Sequence, residues 1–238
     1  MMLPMLIVAT LAVVQSVFGV GVLLFGTPLL LALGMTFTET LWILLPASLT
    51  INTLQLALDR GVDFRQAKAF MLFTLPCIVA GLLVKEYLHL RVEMPIALLL
   101  FLCAGVRVSS RFSACLERLL TRFSTVSLML MGALHGLTNM GGSLLSVYAA
   151  GRFRGKLDIR QYIALGYALF AATQLVTLSA TGTSAPAVSV AMFAAIGGGV
   201  YLLVGRRVFS AVNHTAFSVA LSVFMVLCGV MLLWKVWA

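Results

Sequence analysis

The chain has little charge and places none of its acid deep in an apolar run. Only 10% of its 238 residues are Asp, Glu, Lys or Arg, and the acidic ones number 7. Glu39, Asp59, Asp63, Glu86, Glu93, Glu117 and Asp158 fall in the polar breaks between apolar runs, or at their borders. No intramembrane carboxylate is therefore on offer to bind a metal cation or to couple a proton. Cysteine is scarce too: Cys77, Cys103, Cys115 and Cys228 stand singly, without metal-ligand spacing, and read as small packing residues. No G-x-x-x-x-G-K-[ST] phosphate loop occurs, and no polar stretch is long enough to form a soluble nucleotide-binding domain. No cofactor is called for. Met1-Met2-Leu3-Pro4 lacks the basic start of a cleavable signal peptide, so none is expected. A G-x-S-x-G elbow is missing as well, since Met140-Gly141-Gly142-Ser143-Leu144 lacks the flanking glycines. An intramembrane hydrolase assembled from Ser143, His135 and His214 is thereby disfavoured, and the protein is expected not to be an enzyme.

What the chain has is hydrophobic length. Its residues are 62% hydrophobic, and apolar segments fall at 3–33, 40–58, 67–84, 94–109, 124–151, 161–180, 185–204 and 215–237. Several reach the ~20 residues that cross a ~30 Å hydrocarbon core, so the reading is an all-α, multi-pass integral membrane protein. The net charge of +9 comes from short loops between segments, which points to membrane orientation rather than to nucleic acid.

Segments one and five are too long and are broken by glycine. As one helix the first would extend ~46 Å. It carries Gly19, Gly21 and Gly26 followed by Thr27-Pro28; the fifth carries "HGLTNMGGSLLSVYAAG" at 135–151. The two occupy matching places in a weak internal duplication. Gly19 aligns with Gly136 and Gly34 with Gly151; Gln55 then matches Gln174, and "LCAGV" at 102–106 resembles "LCGV" at 227–230. If all eight segments crossed, each side of the membrane would carry 8 basic residues. If segments one and five are instead re-entrant hairpins, one face carries 13 and the other 3, the asymmetry expected of a cytoplasmic face. The hairpin model gives two inverted-topology repeats, each a broken-helix hairpin plus three transmembrane helices. Residues 1–109 form the first membrane repeat, 110–123 a cytoplasmic basic linker on anionic lipid, and 124–238 the second repeat. Both termini are then periplasmic.

A hairpin tip in lipid has a use. Gly26-Thr27-Pro28 reads as turn, N-cap and first helical residue, and Asn139 to Ser143 as the second turn, with Asn139 or Ser143 as cap. Two helix starts meeting at midplane would bind an anion without a buried lysine or arginine. The expected substrate shell is Gly19, Gly21, Gly26 and Thr27 with Thr138, Asn139, Gly141, Gly142 and Ser143, supported by Asn52, Gln55 and Gln174 on the following crossings. Each of these also has a bland reading, glycine for close packing and amides as interhelical glue. His135 is the one ionisable residue deep in a re-entrant segment, either a proton relay or a packing histidine.

The stretches "FGVGVLLFGTPLLLALG", with "DRGVDFRQA" after the next segment, and "HGLTNMGGSLLSVYAAG" resemble the two halves of the sulfite exporter TauE/SafE family. The first break has fewer glycines than the family pattern, and the second lacks a following proline. The resemblance implies a bacterial inner-membrane secondary transporter, exporting a small anion such as sulfite or an organosulfonate. A cation-coupled or metal permease is the rival within transport, and a non-transporting membrane subunit a further one. Proton or sodium coupling and a homodimer are left open.

Overall fold

The computed structural model describes residues 2–18, 21–58, 64–205 and 214–237, and every regular element among them is helical. The helices are α1 (Met2–Phe18), α2 (Val22–Ala32), α3 (Phe37–Leu58), α4 (Phe64–Tyr87), α5 (Glu93–Val108) and α6 (Ser110–Arg122). Then follow α7 (Ser124–Thr138), α8 (Gly142–Arg152), α9 (Lys156–Ala180), α10 (Ala187–Val200), a π-helical turn (Tyr201–Gly205) and α11 (His214–Trp237). Among the described residues 4 helices are long and apolar enough to cross a membrane: α3, α4 from Ala67, α9, and α10 with its π-turn. The count is 5 if α5 and α6 are taken as one bent span. The protein is membrane-embedded and multi-pass.

Local chemistry sets the helix ends. At α3, "TFTE" makes a capping box: the Thr36 N–H and hydroxyl donate to Glu39 at 2.9 and 2.7 Å, and the Glu39 N–H donates to the Thr36 hydroxyl at 3.2 Å. Just before it, α2 closes in a Schellman motif. Gly34, at φ 91°, donates to the Leu31 carbonyl and Met35 to that of Leu30. The Leu31 carbonyl also accepts the Lys235 ammonium at 2.8 Å, a cation placed at the negative end of a helix.

Segments one and five are both hairpins. Gly26 of α2 lies against Leu11 of α1, so the chain has doubled back across the break. In the second, the hydroxyls of Ser124 at the start of α7 and Tyr148 near the end of α8 meet at 2.6 Å, although 24 residues separate them. A straight helix would hold them ~36 Å apart. Asn139, at φ 60°, supplies the left-handed residue that ends α7.

One expectation changes. Gly26, Thr27 and Pro28 do not form the first turn. The described helices end at Phe18 and resume at Val22, and the three residues sit inside α2. Proline is also carried within α3 and α4, at Pro46 and Pro76. In lipid, neighbouring helices and side chains can offset the lost bond, so proline is a weak terminus signal there. Within the stretch 110–123, residues Ser110–Arg122 form the helix α6, capped by Ser109, whose hydroxyl accepts the Phe112 N–H at 3.3 Å. It turns away from α5 by 114° and packs on α8, where Gly151 meets Glu117 and Thr121.

The hairpins are held by close backbone approach. Gly132 and Gly136 of α7 face the Thr74 and Ile78 carbonyls of α4 with no room for a Cβ. This is the small-xxx-small packing by which helices associate where water gives no driving force. Helix α3 packs on α9 and α10, α4 on α7 and α9, and α5 on α11.

Candidate functional site

The polar residues of the apolar runs converge where the two hairpins meet. The Asn139 side-chain amide donates to the Thr27 hydroxyl at 2.9 Å, joining residues 112 positions apart. Both side chains are buried, and Thr138 and Ser143 beside them nearly so. Neither Asn139 nor Ser143 caps α8. Asn139 ends α7 instead, and the Ser143 hydroxyl donates to the Met140 carbonyl at 2.7 Å.

His135 and Gln174 form a closed pair. The Gln174 amide nitrogen donates to the His135 carbonyl at 3.2 Å, and its oxygen meets His135 Nε2 at 3.1 Å. The imidazole stacks on Phe170 at 4.0 Å between centroids, and Nδ1 has no hydrogen-bond partner. On α3, Asn52 donates to the carbonyl and hydroxyl of Ser48 at 2.7 and 3.1 Å, while both polar atoms of Gln55 are buried without a partner. Unpaired polar groups are costly in a protein interior, and several here lie in one region.

Of the sequence-derived site, Thr27 and Asn139 are in contact, Thr138, Gly141, Gly142 and Ser143 stand at the second tip, and Gln174 braces it from α9. Gly21 lies at the first tip, packed on Gln15, and Gly26 inside α2 against Leu44 and Leu11. Asn52 and Gln55 face the interior from α3. Gly19 falls outside the described residues.

Three residues were not singled out in the sequence. Gln15 bridges the first break: its side-chain oxygen accepts the Val22 N–H at 2.9 Å, capping α2. Tyr167 of α9 presses its hydroxyl onto Gly142. Arg107, in the last turn of α5, lines a cavity of about 50 Å³. Leu24 from α2 and Ser143 and Ser146 from α8 share that cavity with Cys103, Leu116 of α6 and Met225 of α11. A volume of ~10–15 Å³ admits one water, so there is room for several waters or one small polyatomic ion. Its charged lining is cationic, its polar lining hydroxyls and a thiol. Arg107 has a sequence signal, being the first basic residue after an apolar run. Tyr167 and Gln15 have none beyond being polar in an apolar segment.

The arrangement suits an anion. In the first turn of α8 the Ser143 and Leu145 N–H groups donate to the Met140 and Gly141 carbonyls at 3.1 Å, while those of Gly142 and Leu144 have no backbone acceptor. This turn, the positive end of the helix, borders the cavity that Arg107 lines. No curated protein and no solved structure matches the chain. The family model described as "Sulfite exporter TauE/SafE" matches residues 4–232, nearly the whole length. With that match, the hairpins and the multi-pass architecture, the chain belongs to the sulfite exporter TauE/SafE family, a family of membrane transporters.

Proposed function

We propose that the protein is a secondary transporter that exports a small anion, sulfite or an organosulfonate, across the bacterial inner membrane. The anion is held near the bilayer midplane between the starts of α2 and α8. One observation carries this reading: Leu24 and Ser143, each in the first turn of its helix, line one cavity. Two helix starts of positive sign facing one space favour a negative guest.

The repeat reading has support in the packing. Exchanging the halves turns the contact of α4 with α7 into that of α10 with α1, and that of α3 with α10 into that of α9 with α4. The pairs α3–α9 and α5–α11 exchange with themselves. A two-fold axis in the membrane plane, passing between these pairs, accounts for that set of contacts. On this reading α3, α4, α5, α9, α10 and α11 cross the bilayer and both hairpins are re-entrant. Arg111, Arg118 and Arg122 of α6 then lie on the cytoplasmic surface, and both termini are periplasmic. The cavity reaches from the tips toward α6, so the described conformation would load from the cytoplasm. Rocking of one repeat against the other would expose the same site to the other face.

The test is counterflow of radiolabelled sulfite into liposomes holding the purified protein alone, with sulfite, sulfoacetate, sulfate and short carboxylates as competitors. Exchange of sulfur oxyanions in preference to carboxylates is the expected result. No exchange of any of them removes the proposal.

A further inference from the structure

On α9, Tyr167, Phe170 and Gln174 recur at i, i+3 and i+7 and so share one helical face. That face runs along the second hairpin from the start of α8 to the end of α7. Gln174 makes two hydrogen bonds to His135, and Phe170 stacks on its ring. The Tyr167 ring meets Phe170 edge-on at 6.0 Å, so its aromatic body is packed as well. Its hydroxyl is different. Tyr167 is 1% exposed, and the hydroxyl has no hydrogen-bond partner.

The hydroxyl points at a particular place. It lies against Gly142, the first residue of α8, so closely that a Cβ there would occupy its position. Gly142 thus admits the phenol to a helix start where the Ser143 and Leu145 N–H groups donate to the Met140 and Gly141 carbonyls, while those of Gly142 and Leu144 have no backbone acceptor. If packing alone chose residue 167, phenylalanine would fill the same volume without burying an unpaired hydroxyl. In the matching register of α3, seven residues before Gln55, stands Ser48, which instead accepts the Asn52 amide. At this register the unpaired hydroxyl belongs to the second half alone, although Gln15 Nε2 at the first tip and Gln55 Nε2 on α3 are also buried without a partner.

We propose that the Tyr167 hydroxyl is a substrate-binding donor, holding one oxygen of an oxyanion while the first turn of α8 holds another. This rests on the transport reading above and sharpens its substrate class. Two donors arriving from different elements favour an anion with at least two oxygens over a halide.

The test is Tyr167→Phe in the full-length chain, purified and reconstituted beside the unaltered protein. A hydrogen bond to a charged group is lost, so KM for sulfite counterflow should rise about tenfold or more. Thermal stability without substrate should stay the same or increase, because an unsatisfied group has been removed. Sulfite should raise the melting temperature of the unaltered protein, and much less that of Tyr167→Phe. An unchanged KM overturns the inference, as does a melting temperature that falls together with flux, since the hydroxyl would then support the fold. If the unaltered protein exchanges none of the anions, the transport reading fails on its own. The sulfite-dependent thermal shift then still decides for Tyr167 if Tyr167→Phe abolishes it, and against Tyr167 if both proteins respond alike or neither does.

Discussion

In the first hairpin the side chain of Gln15 reaches across the break and accepts the Val22 N–H at 2.9 Å; in the second, no side chain caps α8. The first helix start already holds a protein oxygen where an anion's oxygen would go. The second leaves the Gly142 and Leu144 N–H groups without a backbone acceptor, near an unpaired tyrosine hydroxyl and a cavity bordered by arginine. On the proposed reading the anion lies between the two helix starts but leans on the second, because Gln15 already occupies the first N–H of α2.

The contrast can be broken most forcefully at the packing of the second hairpin. Gly136→Val would drive a branched side chain into the Ile78 carbonyl of α4. A loss on the order of 3 kcal/mol is expected, seen as a fall in melting temperature and in monodisperse yield. Gly199→Ala, facing open space in α10, should be neutral or slightly stabilising in the same assay.

Next in size is the cap of the first hairpin. Gln15→Leu leaves the Val22 N–H without its acceptor and should cost about 1–3 kcal/mol of stability, with KM for sulfite unchanged. A raised KM at unaltered melting temperature would reverse the assignment and make the first tip the binding end. Asn139→Leu removes the bond that joins the tips, and Gln174→Leu both bonds to His135. Each should slow counterflow while the protein still inserts in the membrane; full flux in both variants would take these residues out of the site.

The smallest effect is expected at the cavity mouth. Arg107→Gln should raise KM a few-fold, on the order of 1 kcal/mol, when the anion is supplied from the α6 side, and leave loading from the opposite side unchanged. Liposomes sorted by protein orientation make the comparison, and equal KM shifts from both sides would argue against a mouth there.

Much of this was legible in the sequence. The apolar runs became helices, and the broken first and fifth segments became hairpins: as one helix the 31-residue first segment would extend ~46 Å, well beyond a ~30 Å core, and the glycines mark where it can break. Thr27-Pro28 misled because threonine before proline marks a helix start in water-soluble proteins, whereas here it lies within α2. Residues 110–123 read as a basic linker by charge; what charge does not show is that Ser109 caps Ser110–Arg122 as a helix that packs on α8. Tyr167 was hidden for another reason. Nothing local distinguishes a tyrosine that packs from one whose hydroxyl is left unpaired beside a helix start.

The sequence by itself determined that the chain lives in a membrane and where most of its helices lie, and it favoured a break in two segments, since these follow from hydrophobic length and from backbone groups near in the chain. Only the tertiary structure decided where α2 begins, that Asn139 meets Thr27 112 residues away, and which helix start a side chain caps. Those outcomes depend on which buried polar group finds a partner, and partners in a folded chain are assigned by packing rather than by neighbours in sequence.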